Sequence, residues 1–265
     1  MTHLVHTPEA LKDVLGTVPV SLVPTMGALH DGHLALVRQA KSLGNPVVVS
    51  IFVNPLQFAP GEDLDAYPRT LAEDVEKLEA EGVEAVFAPR PETMYPHGPR
   101  TTIQPGPLGE VLEGATRPTH FAGVLTVVAK LFALTGASDA FFGEKDYQQL
   151  ALIRQMVDDL HLPVRVHGCP IVRDADGLAL SSRNRYLSAA EREVALTIPR
   201  AIATGSVDAA RSLLDATPDL HLDYLVATTP DLAELPAGFT GEARLLIAAK
   251  VGSTRLLDNA PIQIS

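Results

Sequence analysis

Residues 46–53 read PVVVSIFV. Apolar side chains occupy both parities of this run, broken only by Ser50. A strand with one face in water alternates apolar and polar residues. A strand covered on both faces does not, and that is the state of strands in the interior of a parallel sheet. Residues 18–23 upstream form a second strand-length run that ends at Pro24, and between the two Leu34, Val37 and Lys41 fall on one helical face with Ala40 beside it. Downstream, Leu71, Val75 and Leu78 repeat at helical spacing in a charged segment that Gly82 closes. Residues 83–88 follow as a strand, 122–134 as an apolar helix, 140–142 as a short strand, 147–160 as a helix and 164–166 as a strand.

Strand and helix alternate, which predicts a parallel, Rossmann-like sheet with helices on both faces. Ligands of such sheets bind at the carboxyl ends of the strands. The residues after Val23, Val53 and Phe142 are therefore where chemistry is expected. The pattern changes after Ile171. Ser188-Ala189-Ala190-Glu191 is a capping box that opens a helix. A second helix over 207–216 and strands over 222–227 and 244–249 complete a smaller α+β unit. The expected division is a Rossmann-like domain over 1–171 and a smaller C-terminal α+β domain over 172–265.

A length of 265 residues fits one large or two modest domains. The formal net charge of −11 argues against nucleic acid or an anionic membrane as partner. An acidic enzyme still binds a nucleotide if its few cations converge on one pocket. The single cysteine, Cys169, excludes an internal disulfide or zinc site and reads as a small buried residue of an apolar strand. The first residues lack a basic start and a long apolar stretch, and no apolar run approaches the roughly 18–20 residues that span a bilayer. The expected location is the cytoplasm.

Two common phosphate loops, G-x-G-x-x-G and G-x-x-x-x-G-K-[ST], are missing. Four segments carry the chemistry instead. The first is Pro24-Thr25-Met26-Gly27-Ala28-Leu29-His30-Asp31-Gly32-His33, where a strand, a glycine turn and a helix starting near His33 succeed one another. Its free N–H groups suit phosphate, and His30 and His33, three apart, both face one side of the helix start. Two loop histidines in solvent, or a metal pair, are the alternatives. The second is Phe52-Val53-Asn54-Pro55-Leu56-Gln57-Phe58, whose Asn54 and Gln57 both donate and accept, as a substrate with hydroxyls and a carboxylate requires. A plain polar loop reads equally well.

The third is Gly143-Glu144-Lys145-Asp146-Tyr147-Gln148-Gln149. Lys145 offers a mobile cation to a phosphate, Asp146 an acceptor for ribose hydroxyls, and Gln149 a reach back to the acid substrate. Alone, Lys145 and Asp146 would be a solvated ion pair of little consequence. The fourth runs from Val172 to Asn184, where Ser181, Ser182 and Arg183 form a grip for the β- and γ-phosphates and Asp176-Gly177 signals a hairpin turn. Glu73, Asp74 and Lys77 read as a solvated helix face. Residues 59–65 (APGEDLD) read as a loop beside Gln57, expected to act as a lid over a reactive intermediate.

The run P-T-M-G-A-L-H-D-G-H resembles the H-x-G-H signature of the nucleotidylyltransferase superfamily, and its leading P-T-M-G resembles the pantothenate synthetase family. F-V-N-P-L-Q-F, R-P-T-H-F-A-G-V (117–124), G-E-K-D-Y-Q-Q and S-S-R-N follow in the family's order, over about three-fifths of the chain. Many relatives carry glycine where Thr119 stands. The resemblance implies ATP-dependent condensation of (R)-pantoate with β-alanine through a pantoyl adenylate, with AMP and pyrophosphate released. It implies that His33 is the catalytic proton donor and His30 its partner on the phosphates, with Lys145 acting beside them. Met26, Gly27, Ala28, Leu29, Asp31, Gly32, Gly143, Glu144, Asp146, Leu180, Ser181, Ser182 and Arg183 would line the ATP site, with Val172 touching adenine through its backbone. Gln57 would bind pantoate and β-alanine, and Gln149 pantoate. Mg²⁺ is expected with ATP, its ligands unassigned, and a homodimer is implied. Arg117 and His120 either act or fix their loop. A different H-x-G-H transferase, or a nucleotide-binding module without catalysis, are the competing functions. The first would need extra cations for a phosphate acceptor, where Asn54, Gln57 and Gln149 are neutral. The second predicts loss of His30, His33, Lys145 or the Ser181–Arg183 run, all of which are present.

Overall fold

The computed structural model describes residues 2–58, 64 and 67–265. The expected lid falls on residues 59–63 and 65, outside the described residues. The chain divides into two compact units. The first comprises residues 1–144 and 152–169, the second residues 145–151 and 170–265.

Among the described residues, the first unit contains β1 (His3–Val5), α1 (Pro8–Leu15), β2 (Val20–Thr25), α2 (Asp31–Lys41), β3 (Val47–Ile51), α3 (Leu71–Ala80), β4 (Ala85–Phe87), α4 (Pro91–Met94), α5 (Glu113–Thr116), α6 (His120–Thr135) and β5 (Ala137–Gly143). It ends with most of α7 (Tyr147–Asp159) and with β6 (Arg165–Cys169). All pairings in its sheet are parallel and the order is β1-β4-β3-β2-β5-β6. From β2 the chain moves one way through β3 and β4, then returns to the other side of β2 with β5 and β6. The reversal lies at β2 and β5, and the crevice beyond their carboxyl ends is where open α/β sheets hold ligands.

The run 46–53 supplies β3, flanked by β4 and β2, and Val47, Val48 and Val49 are all buried. Each such side chain contributes about 1.5–3 kcal/mol when fully buried. One sheet face packs Val23, Val47, Val49, Val86 and Phe141 against Leu36, Val37 and Ala40 of α2 and Leu78 of α3. On the other face α1 and α6 pack against β1, β4 and β2.

Pro24 does not end its strand, since β2 continues to Thr25. Thr25 accepts from Phe52 on the β3 side, so Pro24 points towards β5. Pairing with β5 stops at Leu22, so the missing N–H of Pro24 breaks no ladder bond. Helix α2 starts at Asp31, two residues before the expected point, because His30 caps it.

The second unit contains α8 (Ala189–Ala195), α9 (Thr197–Ala203), α10 (Val207–Asp215) and the antiparallel sheet β7 (Leu220–Thr228), β8 (Gly241–Val251), β9 (Thr254–Ile264). Ile198, Ile202 and Leu214 of the helices bury against Leu225, Leu245 and Ile247 of the sheet. The Ser188–Glu191 capping box is present: the Ser188 hydroxyl accepts from Glu191 N–H and the Glu191 carboxylate from Ser188 N–H. Asp176-Gly177 turns a short hairpin in which Arg173 pairs with Ala179, and Gly177 takes the left-handed φ of 95° that this turn requires.

Candidate active site

Beyond β2 the backbone makes two successive left-handed residues, Gly27 (φ 85°) and Ala28 (φ 52°). A Cβ on Gly27 would lie 3.1 Å from both Asp74 Oδ2 and Ile51 Cγ2, so the turn needs glycine there. The Thr25 hydroxyl donates to Ser50 O at 2.7 Å and accepts from Gly27 N–H at 3.2 Å, which starts the turn. Its shape is held from α3. Asp74 Oδ2 accepts from Ala28 N–H at 2.9 Å and Oδ1 from Leu29 N–H at 2.7 Å, while Thr70 donates to Oδ2 at 3.0 Å. Lys77 Nζ donates to Leu29 O at 2.8 Å. Asp74 is fully buried, so the expected solvated face is corrected: two of its members are structural supports of the turn. The clue was present in the pattern, because Asp74 sits on the same helical stripe as Leu71, Val75 and Leu78.

His30 and His33 form an unusual capping box made of two imidazoles. His30 Nδ1 accepts from Gly32 N–H at 3.1 Å, and His33 Nδ1 accepts from His30 N–H at 3.3 Å. The ring centroids lie 4.1 Å apart. An Nδ1 that accepts a hydrogen bond carries no proton, so in the neutral ring the proton is on Nε2. Both imidazoles are thus set as Nε2–H donors at the N-terminus of a helix, where the helix dipole already favours an anion.

Beyond β3, residues Pro55–Gln57 form one 3-10 turn. Asn54, fully buried, is consumed in holding it: its Nδ2 donates to Gln57 Oε1 at 3.2 Å and to Gly123 O at 3.1 Å, while Oδ1 accepts from Leu56 N–H and from Tyr95 OH. Burial pushes the Tyr95 hydroxyl up to about 12, so it stays a donor. Gln57 Nε2 reaches Met26 Sδ at 3.0 Å, which joins the two loops. The Gln57 carbonyl accepts from Arg117 Nη2 at 3.2 Å and lies 2.9 Å from His120 Nδ1. Gly123 completes the clamp, since a Cβ there would lie 2.3 Å from Leu56 O. Asn54, expected as a group for substrate, is instead a support of Gln57. Arg117 and His120 both reach the Gln57 carbonyl.

Gly143 ends β5, and Glu144, the last residue of this stretch in the first unit, opens a 3-10 turn. In the second unit Lys145 Nζ lies 3.5 Å from Asp146 Oδ1, and Gln149 occupies the first turn of α7. Val172 O accepts from Leu180 N–H at 2.9 Å at the base of the hairpin. Ser181 caps the 3-10 turn Ser182–Tyr186 by accepting from Arg183 N–H at 3.2 Å. Arg192 braces the hairpin through Asp174 and Asp176. Cys169 is buried at the end of β6, and burial, then the Glu144 carboxylate, pushes its thiol up to about 12. It is no nucleophile at neutral pH.

A family model described as pantoate-beta-alanine ligase matches residues 3–261. The chain belongs to that family. A pantothenate synthetase of Nocardia farcinica is 61% identical over 97% of this chain and 82% of its own length. One of Corynebacterium jeikeium is 62% identical over 93% of this chain and 83% of its own. Among solved structures, a pantothenate synthetase of Thermus thermophilus superposes with a TM-score of 0.92 at 47% identity, covering 97% of this chain and 98% of that one. A Francisella tularensis pantoate-beta-alanine ligase, described as complexed with beta-gamma ATP and beta-alanine, gives 0.82 at 34% identity, covering 98% and 97%. The chain is thus an enzyme, a ligase that joins pantoate to β-alanine with ATP as substrate. Among the described residues no helix of this ligase is long and apolar enough to cross a membrane.

Sequence reasoning missed Asp74, Thr70 and Tyr95, together with Arg244, Asp258 and Asn259 of the second unit. Apart from Thr70, which bonds Asp74 four residues on, they act through contacts between segments far apart in the chain.

Proposed function

We propose that the two Nε2–H donors at the start of α2 drive the first half of the ligation. A pantoate carboxylate oxygen attacks the α-phosphorus of ATP, the bond from that phosphorus to the bridging oxygen of pyrophosphate breaks, and pantoyl adenylate forms. Charge moves onto the α-phosphate oxygens and the departing pyrophosphate as this happens. His33 and His30 donate to those oxygens without first having to reorient, because backbone N–H groups already fix both rings. The observation that carries this reading is the reciprocal imidazole cap, supported by its position at the sheet's topological reversal. In the second half the neutral β-alanine amine attacks the acyl carbon, the bond from that carbon to the AMP oxygen breaks, AMP leaves, and the nitrogen passes its proton to solvent as the amide forms.

The remaining roles follow the same chemistry. Met26, Gly27, Ala28, Leu29, Asp31 and Gly32 line the nucleotide beside the histidines, and Gly143 and Glu144 let it approach β5. Lys145 neutralises phosphate charge and Asp146 accepts from ribose. Ser181, Ser182 and Arg183 hold the departing pyrophosphate, with Val172 at adenine and Leu180 lining the nucleotide. Gln57 orients pantoate and then β-alanine, and Gln149 binds pantoate. Among the described residues no group of three or more His, Cys, Asp or Glu side chains is arranged to hold a metal. Mg²⁺ bound with ATP would supply neutralisation of phosphate charge there. The ligase works in the cytoplasm as a homodimer.

The test uses purified ligase, ATP and Mg²⁺. Pantoate alone should release pyrophosphate in one turnover, and AMP should appear only on adding β-alanine. AMP release without pantoate, or no AMP with β-alanine, would reject the scheme.

A further inference from the structure

Lys145 stands in a 3-10 turn, Glu144–Asp146, between β5 and α7. Within the second unit two grips hold the backbone around it. Asn259 Nδ2 of β9 donates to the Lys145 carbonyl at 3.0 Å. The Arg244 guanidinium of β8 lies 4.0 Å from the ring centroid of Tyr147, whose hydroxyl is tied to Pro230 O at 2.8 Å. One residue connects the grips. Asn259 Oδ1 accepts from Arg244 Nε at 2.8 Å and from Nη2 at 2.5 Å.

The chemistry of that pair fixes its direction. A guanidinium has only donors, so the amide oxygen of Asn259 must face Arg244 and the amide nitrogen must face Lys145. Both residues are buried, Arg244 at 7% and Asn259 at 3% exposure, so no water competes for the arrangement. Burying an arginine and an amide is costly unless they are fully engaged. Here they are engaged on the two residues flanking Asp146. The neighbouring Asp258 accepts Arg173 in a two-point ion pair at 2.7 and 2.8 Å, and its Oδ1 also accepts from Asn259 N–H at 2.8 Å, so the base of the hairpin before Ser181 is fixed to the same point of β9.

We propose that Arg244 and Asn259 are positioning residues that fix the backbone of Lys145 for adenylate formation. This rests on the role given to Lys145 above. The Arg244–Asn259 pair sets where the Lys145 Cα stands, and thereby the arc its ammonium sweeps, while touching no substrate.

The discriminating variant is Asn259→Asp. It keeps an acceptor for Arg244 but sets an oxygen against the Lys145 carbonyl, so the donor is lost and the turn is repelled. Single-turnover pyrophosphate release with pantoate should fall about tenfold, the scale of one buried hydrogen bond acting on the barrier. The second half-reaction, measured from preformed pantoyl adenylate and β-alanine, should stay within about twofold of wild type. A merely structural defect lowers the folded fraction and scales both half-reactions together, which would overturn the proposal. Should the aspartate variant melt at the assay temperature, Asn259→Ala removes the donor without adding charge and is read in the same way. Lys145→Ala serves as the reference. If it is slowed and Asn259→Asp is not, the positioning is wrong. If Lys145→Ala itself forms adenylate normally, the role of Lys145 is wrong. In the Lys145→Ala background, Asn259→Asp should cost nothing more, and a further loss of about tenfold there would show that Asn259 acts on something else.

Discussion

The Leu29 amide N–H donates to the buried carboxylate of Asp74 at 2.7 Å, across a sequence separation of 45 residues. The other oxygen of that carboxylate takes the Ala28 N–H and the Thr70 hydroxyl. Three donors on one carboxylate leave no place for an amide. Asp74→Asn turns one acceptor into a donor that faces a donor, and should cost about 1–3 kcal/mol. Because the turn it holds leads into His30, adenylate formation should fall with it. Urea unfolding at neutral pH and single-turnover pyrophosphate release measure the two effects. Wild-type stability would mean that the turn keeps its shape without Asp74.

The closeness of Gly123 to the Gln57 loop gives a second expectation. A Cβ there meets backbone, Leu56 O at 2.3 Å and Gln57 N at 2.6 Å, and backbone cannot rotate away as a side chain would. Gly123→Ala should therefore push the 3-10 turn outward, at a cost of about 1–3 kcal/mol for overpacking. The displaced group is Gln57, so the KM for pantoate should rise more than the KM for ATP. Steady-state titration of each substrate distinguishes this from a general loss of active enzyme, which would change neither KM.

The parallel sheet was legible because its signal is local. The valines of 47–49 and the apolar helices between strands report their own burial, and glycine turns mark the strand ends. Strands β1 and β9 escaped this reading. The first is short, and in the second Asp258, Asn259 and Pro261 interrupt the alternation, though Asp258 and Asn259 are both buried. The site divided along the same line. His30 and His33 stand at a helix start and Gln57 in a 3-10 turn, each just after a strand, where glycine and proline draw notice to polar residues. Asp74 and Arg244 stand inside regular elements and look like surface charges until their distant partners are known. The same holds for Asn54, whose four hydrogen bonds to Leu56, Gln57, Tyr95 and Gly123 turn an apparent substrate ligand into a support.

Asp139 of β5 connects stability to pH. Its side chain is fully buried, which alone would raise its pKa, but hydrogen bonds from Arg165, His167 and Ser138 outweigh burial and hold it at about 2. A carboxylate whose folded pKa is lowered adds stability above its unfolded value and loses it as pH falls through the folded one. The gain is at most about 2 kcal/mol, reduced because Arg165 is largely in water. Asp139→Asn should be less stable than wild type at pH 7, and the gap should narrow between pH 4 and pH 2. Denaturant unfolding at these pH values measures it, and a gap that stays constant would remove Asp139 as the source.

The imidazole cap separates two functions of His33 that an alanine substitution would confound. Nδ1 accepts from His30 N–H and so shapes the helix start, while Nε2–H is the donor assigned to phosphate. An asparagine places its oxygen near the position of Nδ1 and has nothing at Nε2. A glutamine places its amide nitrogen near Nε2 and does not reproduce the cap. His33→Asn should keep the thermal stability of wild type and lose adenylate formation by about a hundredfold or more, the scale for removing a transition-state donor. His33→Gln should lose about 1 kcal/mol of stability, as for a lost cap, and keep part of the activity. The same half-reaction, measured as pyrophosphate release in a single turnover with pantoate, reads both variants. If the asparagine variant turned over at the wild-type rate, the histidine would be a cap and nothing more, and the charge on the α-phosphate would have to be met by His30 and the helix N-terminus alone.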